Sequence, residues 1–328
     1  MAVRRSACYR TGQGDRRPIS ATAASPGLDP ARLKGVLLVL LAATVWSSGG
    51  PLMRAIENAT PWQILFWRSS AMLVAIAFYG RVVLRSDPRT AIKGFGSLGW
   101  LSAGFAACAF SLSIVALEHT TVANVLFMVA VSPLVAAVLG GLLLGESVRR
   151  ATWFALSVAA VGLAVMLWEG FDGGSPLGNI AAFCSAASFA LFNVAYRRAE
   201  LIGRKPDMSA VLCLAALLAM TVSGTAAVAE GTGLKLSTPD LLYSLAFGLF
   251  QVGLGFILFT AGARHLTAAE ATLLALLEVV LGPTWTWLIF GEEPSGLGVI
   301  GGLILLAAMI LQAASGMRRR RQPAGILA

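Results

Sequence analysis

The chain has 328 residues, of which 57% are hydrophobic and only 12% charged, whereas soluble domains carry about a quarter charged residues. With a mean hydropathy of +0.78 there are too few polar side chains to cover a water-exposed globule, so a soluble protein is excluded and an integral membrane protein is left. The net charge of +9 does not indicate nucleic acid, because the Lys and Arg lie between and beyond the apolar stretches.

Residues 1–33 hold six Arg among Gly, Ser, Thr and Pro and no apolar run, which reads as a disordered basic tail; a transit peptide and an over-long start are the alternatives. Apolar windows follow at about 35–56, 61–80, 95–117, 121–144 and 150–168. After a break at Glu169 to Ser175 come 177–196, 208–229, 240–262, 267–290 and 296–315, and residues 316–328 form a second basic tail. Each window supplies about the twenty residues that ~30 Å of hydrocarbon requires at ~1.5 Å per residue. The fold predicted is an all-α bundle of ten transmembrane helices joined by short turns. Cys108, Cys184 and Cys213 fall inside these windows without a CxxC pair, and are read as small apolar packers.

Lys and Arg concentrate in the loops on the cytoplasmic side of a membrane. With the N-terminus inside, that side receives both tails and the loops holding Arg81 to Lys93, Arg149 and Arg150, Arg197 to Lys205 and Arg264. Only Arg54 and Lys235 fall opposite, and Arg68 lies within a window. An even number of spans then puts both termini in the cytoplasm, with the bundle in the cell's inner membrane.

The sequence repeats itself. His119 to Glu146 aligns without a gap on His265 to Glu292 at an offset of 146, matching His119 with His265, Leu142 with Leu288 and Gly145-Glu146 with Gly291-Glu292. The units are residues 35–168 and 177–315. Five helices is an odd number, so the second unit enters the membrane from the opposite side, giving two inverted five-helix repeats. Inverted halves can exchange conformations and open a midplane site to either side, which points to transport.

The segments "LEHTTVANVLFMVAVSPLVAAVLGGLLLGE" and "ARHLTAAEATLLALLEVVLGPTWTWLIFGE", the Trp46-Ser47-Ser48 stretch and "PWQILFWR" together resemble the EamA-type family of the drug/metabolite transporter superfamily over residues 35–315. The resemblance implies a secondary transporter, exporting small organic metabolites such as amino acids, with ten helices and cytoplasmic termini. Cys213 stands where the second repeat would need a partner for Arg68, so the halves do not share that role.

Charge at mid-membrane costs roughly 2.5 to 3.5 kcal/mol, which makes an intramembrane carboxylate a functional candidate. Glu278, 11 residues past Thr267 and 13 before Gly291, lies near mid-membrane and shares a face with Glu270, Leu281 and Trp285. It is read as a cation or proton site, against a structural Glu tied to a neighbouring helix. The repeat places Asn124 and Ser132 opposite Glu270 and Glu278. Arg68 either pairs with a substrate carboxylate or Glu278, or snorkels to the interface. Trp46 and Trp285 lie deep enough to line a pocket, Asn193 and Gln251 are pocket groups or interhelical ties, and Trp62, Trp67, Trp100 and Trp168 suit an interfacial belt. Pro133 and Pro283 each free a carbonyl and point to a broken, site-forming region in spans 4 and 9, with a simple kink as the alternative; Gly141-xxx-Gly145 and Gly298-xxx-Gly302 predict close helix packing.

No Gly-Lys dipeptide occurs, so a P-loop is ruled out; two His without HExxH or CxxC argue against a zinc enzyme, and no cofactor is expected. The partners expected are a small-molecule substrate, protons if Glu278 couples transport, and membrane lipids. An integral-membrane enzyme acting on lipid or prenyl groups is the alternative, but it needs clustered catalytic groups that the windows do not offer. A passive channel subunit would need neither inverted halves nor a midplane carboxylate.

Overall fold

Inside a bilayer an unpaired backbone N–H or C=O finds no water, so a spanning segment closes its hydrogen bonds within itself. The computed structural model has helix in every apolar window and no strand among the residues it describes, which are 30–86, 88–120, 125, 128, 132–144, 150–170, 175–204, 206–266, 271, 274–291 and 296–318.

In chain order these are α1 (Pro30–Trp46), α2 (Gly49–Arg54), α3 (Pro61–Val82), a short α4 (Pro88–Lys93), α5 (Ser97–His119), α6 (Ser132–Leu144) and α7 (Arg150–Gly170). The second half holds α8 (Pro176–Leu201), α9 (Met208–Ala229), then α10 (Thr238–Ala246) running through a π-helical stretch (Phe247–Leu254) into α11 (Gly255–Ala263), and finally α12 (Leu277–Phe290) and α13 (Gly296–Arg318). Among the described residues, five segments are long and apolar enough to cross a membrane on their own: Pro30–Arg54, Ser97–His119, Pro176–Leu201, Met208–Ala229 and Thr238–Ala263. Helix α1 starts at Pro30, so residues 30–33, counted with the tail from composition, form its first turn.

The helix starts follow local chemistry. Thr60 and Gln63 form a reciprocal capping box, the Gln63 side chain accepting from the Thr60 N–H at 2.9 Å, with Pro61 in the first turn where its missing N–H costs nothing. Ser175 and Ser237 cap α8 and α10 ahead of a proline in the same way. Asp207 caps α9, accepting from the Ser209 N–H at 2.8 Å. Burial works against this carboxylate's charge, but hydrogen bonds from Ser209, Ser86 and the Ala210 N–H outweigh it and hold the group below the usual carboxylate range.

Helices α3 and α9 pack antiparallel. Near the start of α3, Trp62 Nε1 donates to Glu230 at 2.7 Å, the Gln63 amide to the carbonyls of Gly233 and Lys235, both at 3.1 Å, and Trp67 Nε1 to the Leu234 carbonyl at 2.9 Å, all at the end of α9. Near the end of α3, Gly80 lies on Ser209 at the start of α9. Trp62 and Trp67 are therefore ties between the halves as well as belt residues, while Trp168, 81% exposed, fits the belt. Helices α7 and α13 also run against one another, with Ala155 and Ala159 in one cluster with Leu305 and Ala308, and Gly162 on the Gly301 carbonyl. That contact departs from the small-residue pattern read in the sequence, since the space beside Gly302 is open.

Two crossings complete the core. Helix α1 crosses α11, with Gly35 against His265 and the Nε1–Cδ1 side of the Trp46 indole against Gly255. Helix α5 crosses α8, with Gly178 against the His119 carbonyl and the Ser185 hydroxyl donating to the Ala109 carbonyl at 2.8 Å. His119 and Ala109 stand 146 residues before His265 and Gly255, so each crossing is the other's counterpart in the repeat. Cys213 is buried in the central cluster, as expected of an apolar packer, but Cys108 and Cys184 are exposed on the outside of the bundle.

Candidate functional site

The first window is not one helix. After Trp46 the chain turns at Ser47 and Ser48, whose hydroxyls bond back to the carbonyls of Thr44 and Val45 at 2.6 and 2.7 Å, and helix resumes at Gly49. Serine side chains compete with the backbone in this way, and two glycines follow that weaken the helix further. The break faces the π-helical stretch of the eighth window. There Gly248 lies directly on the Arg68 carbonyl and Gly255 on the Trp46 indole, leaving no room for a Cβ at either place. Wide turns of this kind recur at functional positions.

Around the break the structure gathers several predicted residues. Gln251 Nε2 donates to the Trp46 carbonyl at 3.0 Å, while its Oε1 is buried without a hydrogen-bond partner among the described residues. Trp285 Nε1, from α12, donates to the Ser47 hydroxyl at 2.9 Å. The Trp46 ring contacts Phe256 and Phe259 at centroid distances of 5.3 and 5.2 Å, and Phe256 contacts Phe110 at 6.0 Å. Arg68 completes the group: 8% exposed, its guanidinium lies 4.8 Å from the Phe247 ring centroid and 5.9 Å from that of Phe110.

Arg68 therefore turns into the bundle, and the snorkelling alternative is set aside. Aromatic faces stabilise a desolvated cation within about 6 Å, but among the described residues no carboxylate reaches it, and Glu278 is not its partner.

Glu278 stands in the first turn of α12, seven residues and about 10 Å from Trp285 on one helix face. The helix is interrupted at Leu276, two residues before Glu278, and runs unbroken through Pro283 to Phe290. The break expected in span 9 is thus present but displaced: the proline is accommodated, and the turn falls where Leu276 and Val279 bury themselves against Ala155, Ala159, Leu305 and Ala308. Ser132 is buried at the start of α6, and the Asn193 amide is spent on the Phe189 carbonyl of its own helix at 2.8 Å. Asn124 and Glu270 lie outside the described residues.

Sequence reasoning overlooked Ser47 as a partner, Phe110 and Phe247 as the walls around Arg68, and Asp240. The run Ser47-Ser48-Gly49-Gly50 and the glycines at 248, 253 and 255 were the available signals.

Known proteins match this chain over much of its length. The pseudopaline exporter CntI of Pseudomonas aeruginosa strain UCBPP-PA14 is 27% identical over 281 residues, covering 84% of this chain and 94% of that protein. A transporter designated PA0485, from another strain of that species, is 28% identical over 201 residues, covering 59% and 64%. One solved crystal structure superposes with a TM-score of 0.69 at 19% identity, covering 89% of this chain and 99% of that one, a likeness of fold. The EamA-like transporter family matches twice, over residues 33–168 and 176–313, so this multi-pass membrane protein belongs to the EamA-like transporter family.

Proposed function

We propose that the chain is a secondary active exporter of small organic metabolites bearing a carboxylate, amino acids and related compounds among them. It works by alternating access between two inverted five-helix repeats of a ten-span bundle in the cell's inner membrane, with both termini in the cytoplasm. The observation that carries the reading is Arg68, buried between Phe110 and Phe247 with no carboxylate beside it among the described residues. A desolvated guanidinium presents a planar fork that a substrate carboxylate fills with two parallel hydrogen bonds.

Inversion is supported by the helix pairs. Helices α3 and α9 occupy equivalent places in the two repeats and pack antiparallel, as do α7 and α13. A two-fold relation that reverses helix direction has its axis in the membrane plane. The exporter name of CntI supports the direction of transport.

The carboxylate of Glu278, on the same α12 face as Trp285, serves as the proton-exchanging group. Counterflow in proteoliposomes across a panel of amino acids tests both assignments. Arg68→Lys keeps the charge but loses the fork, and is expected to weaken apparent affinity roughly tenfold with normal insertion; unchanged transport by Arg68→Ala would remove Arg68 from the site. Glu278→Gln is expected to abolish the pH dependence of transport, and a wild-type pH profile in that variant would make the carboxylate a structural tie. A reporter active only outside the cytoplasm, fused after Gly173 or after Arg204, is expected to signal from the first position alone.

A further inference from the structure

At one end of the bundle, about one helical turn from Ser47, Phe247 and Trp285, lies an open-mouthed cavity of about 690 Å³. Its floor and walls come from α2, the α2–α3 connection, the start of α10 and the last residues of α12, and include Ala55, Glu57, Tyr243, Phe290, Asp240 and Arg54, which is itself engaged by another group. Asp240 is only 2% exposed. It occupies the acidic place of a capping box, and Ser237 Oγ accepts its N–H at 3.2 Å. The acid of such a box ordinarily returns the bond to the cap residue's own N–H. Here Oδ1 accepts instead from the Glu57 N–H, at 3.1 Å across the repeats, and Oδ2 is buried without a hydrogen-bond partner among the described residues. One turn deeper on the same face the Ser244 hydroxyl is also buried and unpartnered.

An unmet carboxylate oxygen accepts only, so its complement is a donor, and a cationic donor gives the stronger, charge-assisted bond. A divalent metal is poorly served, since no group of three His, Cys, Asp or Glu forms among the described residues and Mg²⁺ or Ca²⁺ requires about six oxygens. An ammonium carries three donors and is attracted by aromatic faces such as those of Tyr243 and Phe290. Pro51, Leu52 and Ile289 supply an apolar seat for a carbon skeleton.

We propose that this cavity is a binding site for organic ammonium ions, separate from the Arg68 cluster, with Asp240 Oδ2 as the acceptor, Tyr243 and Phe290 as walls, and the alkyl part lying on Pro51, Leu52 and Ile289. The site stands whichever face of the membrane it opens to, and whatever Arg68 binds. The test is calorimetric titration of the detergent-purified full chain with n-butylammonium, and with butyrate as the oppositely charged probe of the same size. Saturable binding of n-butylammonium but not butyrate is expected. Asp240→Asn is expected to weaken it at least about tenfold, the loss of one charged hydrogen bond. Ala55→Phe, which fills the cavity while leaving Asp240 and its Glu57 bond in place, is expected to abolish it, so the result does not depend on the folding of the Asp240 variant. Arg68→Ala and Glu278→Gln are expected to bind as the wild type does. Equal binding of butyrate, wild-type affinity in Ala55→Phe, or loss of binding in Arg68→Ala would each overturn the assignment.

Discussion

The crossing of α1 over α11 and that of α8 over α5 are built from the same unit of sequence, yet they differ in polarity and regularity. Both seat a histidine end on a glycine, His265 on Gly35 and His119 on Gly178. Beyond that junction the α5–α8 crossing is regular and satisfied: both helices are continuous, small side chains such as Ala182 and Ala186 fill the contact, and Ser185 gives its proton to the Ala109 carbonyl. The α1–α11 crossing has a broken helix on one side and π-helical turns on the other, a tryptophan pressed onto glycine, and an amide oxygen on Gln251 with nothing to accept from. Duplication supplied the frame twice, and one copy departed from regularity where ligand chemistry is proposed. Unsatisfied groups and wide turns cost stability, and such costs concentrate where a protein works.

The difference is open to disruption at its tightest point. Gly248→Val drives a side chain into the Arg68 carbonyl and separates α3 from the π-helical stretch, with an expected cost of about 3 kcal/mol or more in thermal unfolding of the detergent-solubilised protein. Gly140→Ala, where the space is open, is expected to leave the unfolding temperature within a degree or two. Next in size, Gly255→Ala displaces the Trp46 indole and is expected to cost about 1 to 3 kcal/mol. Its counterpart Ala109→Gly merely loosens a helix, at about 1 kcal/mol. If the two substitutions proved equal, the crossings would be energetically alike.

Asp207 supplies a reference outside both crossings. Asp207→Ala is expected to cost about 1 kcal/mol through loss of the α9 cap. The folded carboxylate titrates below its ordinary value of 3.8, so the contribution is complete above that value and is lost as pH falls through the folded one. A wild-type stability advantage over the variant that persisted to the lowest pH would contradict the assignment. The smallest expected effects fall on Ser185→Ala and Gln251→Leu, each removing an interhelical bond worth about 0.6 kcal/mol. Stability separates them poorly, but transport in proteoliposomes is expected to fall only in Gln251→Leu.

The positions of the helices were legible from sequence because the bilayer fixes their length and loop charge marks their ends. The breaks were not, because tertiary packing places them. Pro283 reads as a kink, yet the turn occurs at Leu276, where apolar side chains gain more by facing α7 and α13 than by continuing the helix. The π-helical stretch likewise depends on Trp46 and Arg68, more than 170 residues away in the chain. Arg68, Trp46, Gln251 and Trp285 were legible as candidates because polar or bulky groups at depth are rare. Which of them meet was beyond reach: Gln251 finds Trp46 and Trp285 finds Ser47, whereas Asn193 turns onto its own helix. Asp240 was missed because an acid three residues after Ser237 already has an ordinary role as a cap.

The seam between α3 and α9 is fastened unevenly. At one end three side chains, Trp62, Gln63 and Trp67, stitch α3 to Glu230 and to the carbonyls that follow α9; at the other the Ser86 hydroxyl meets Asp207, and Gly80 rests on Ser209. A pair of rods riveted at one end and held more lightly at the other behaves as tongs. Force that parts the two halves along this line meets its stiffest resistance at Gln63 and its least near Gly80, so the rivet sets the fulcrum and the jaws open at the end where α9 begins.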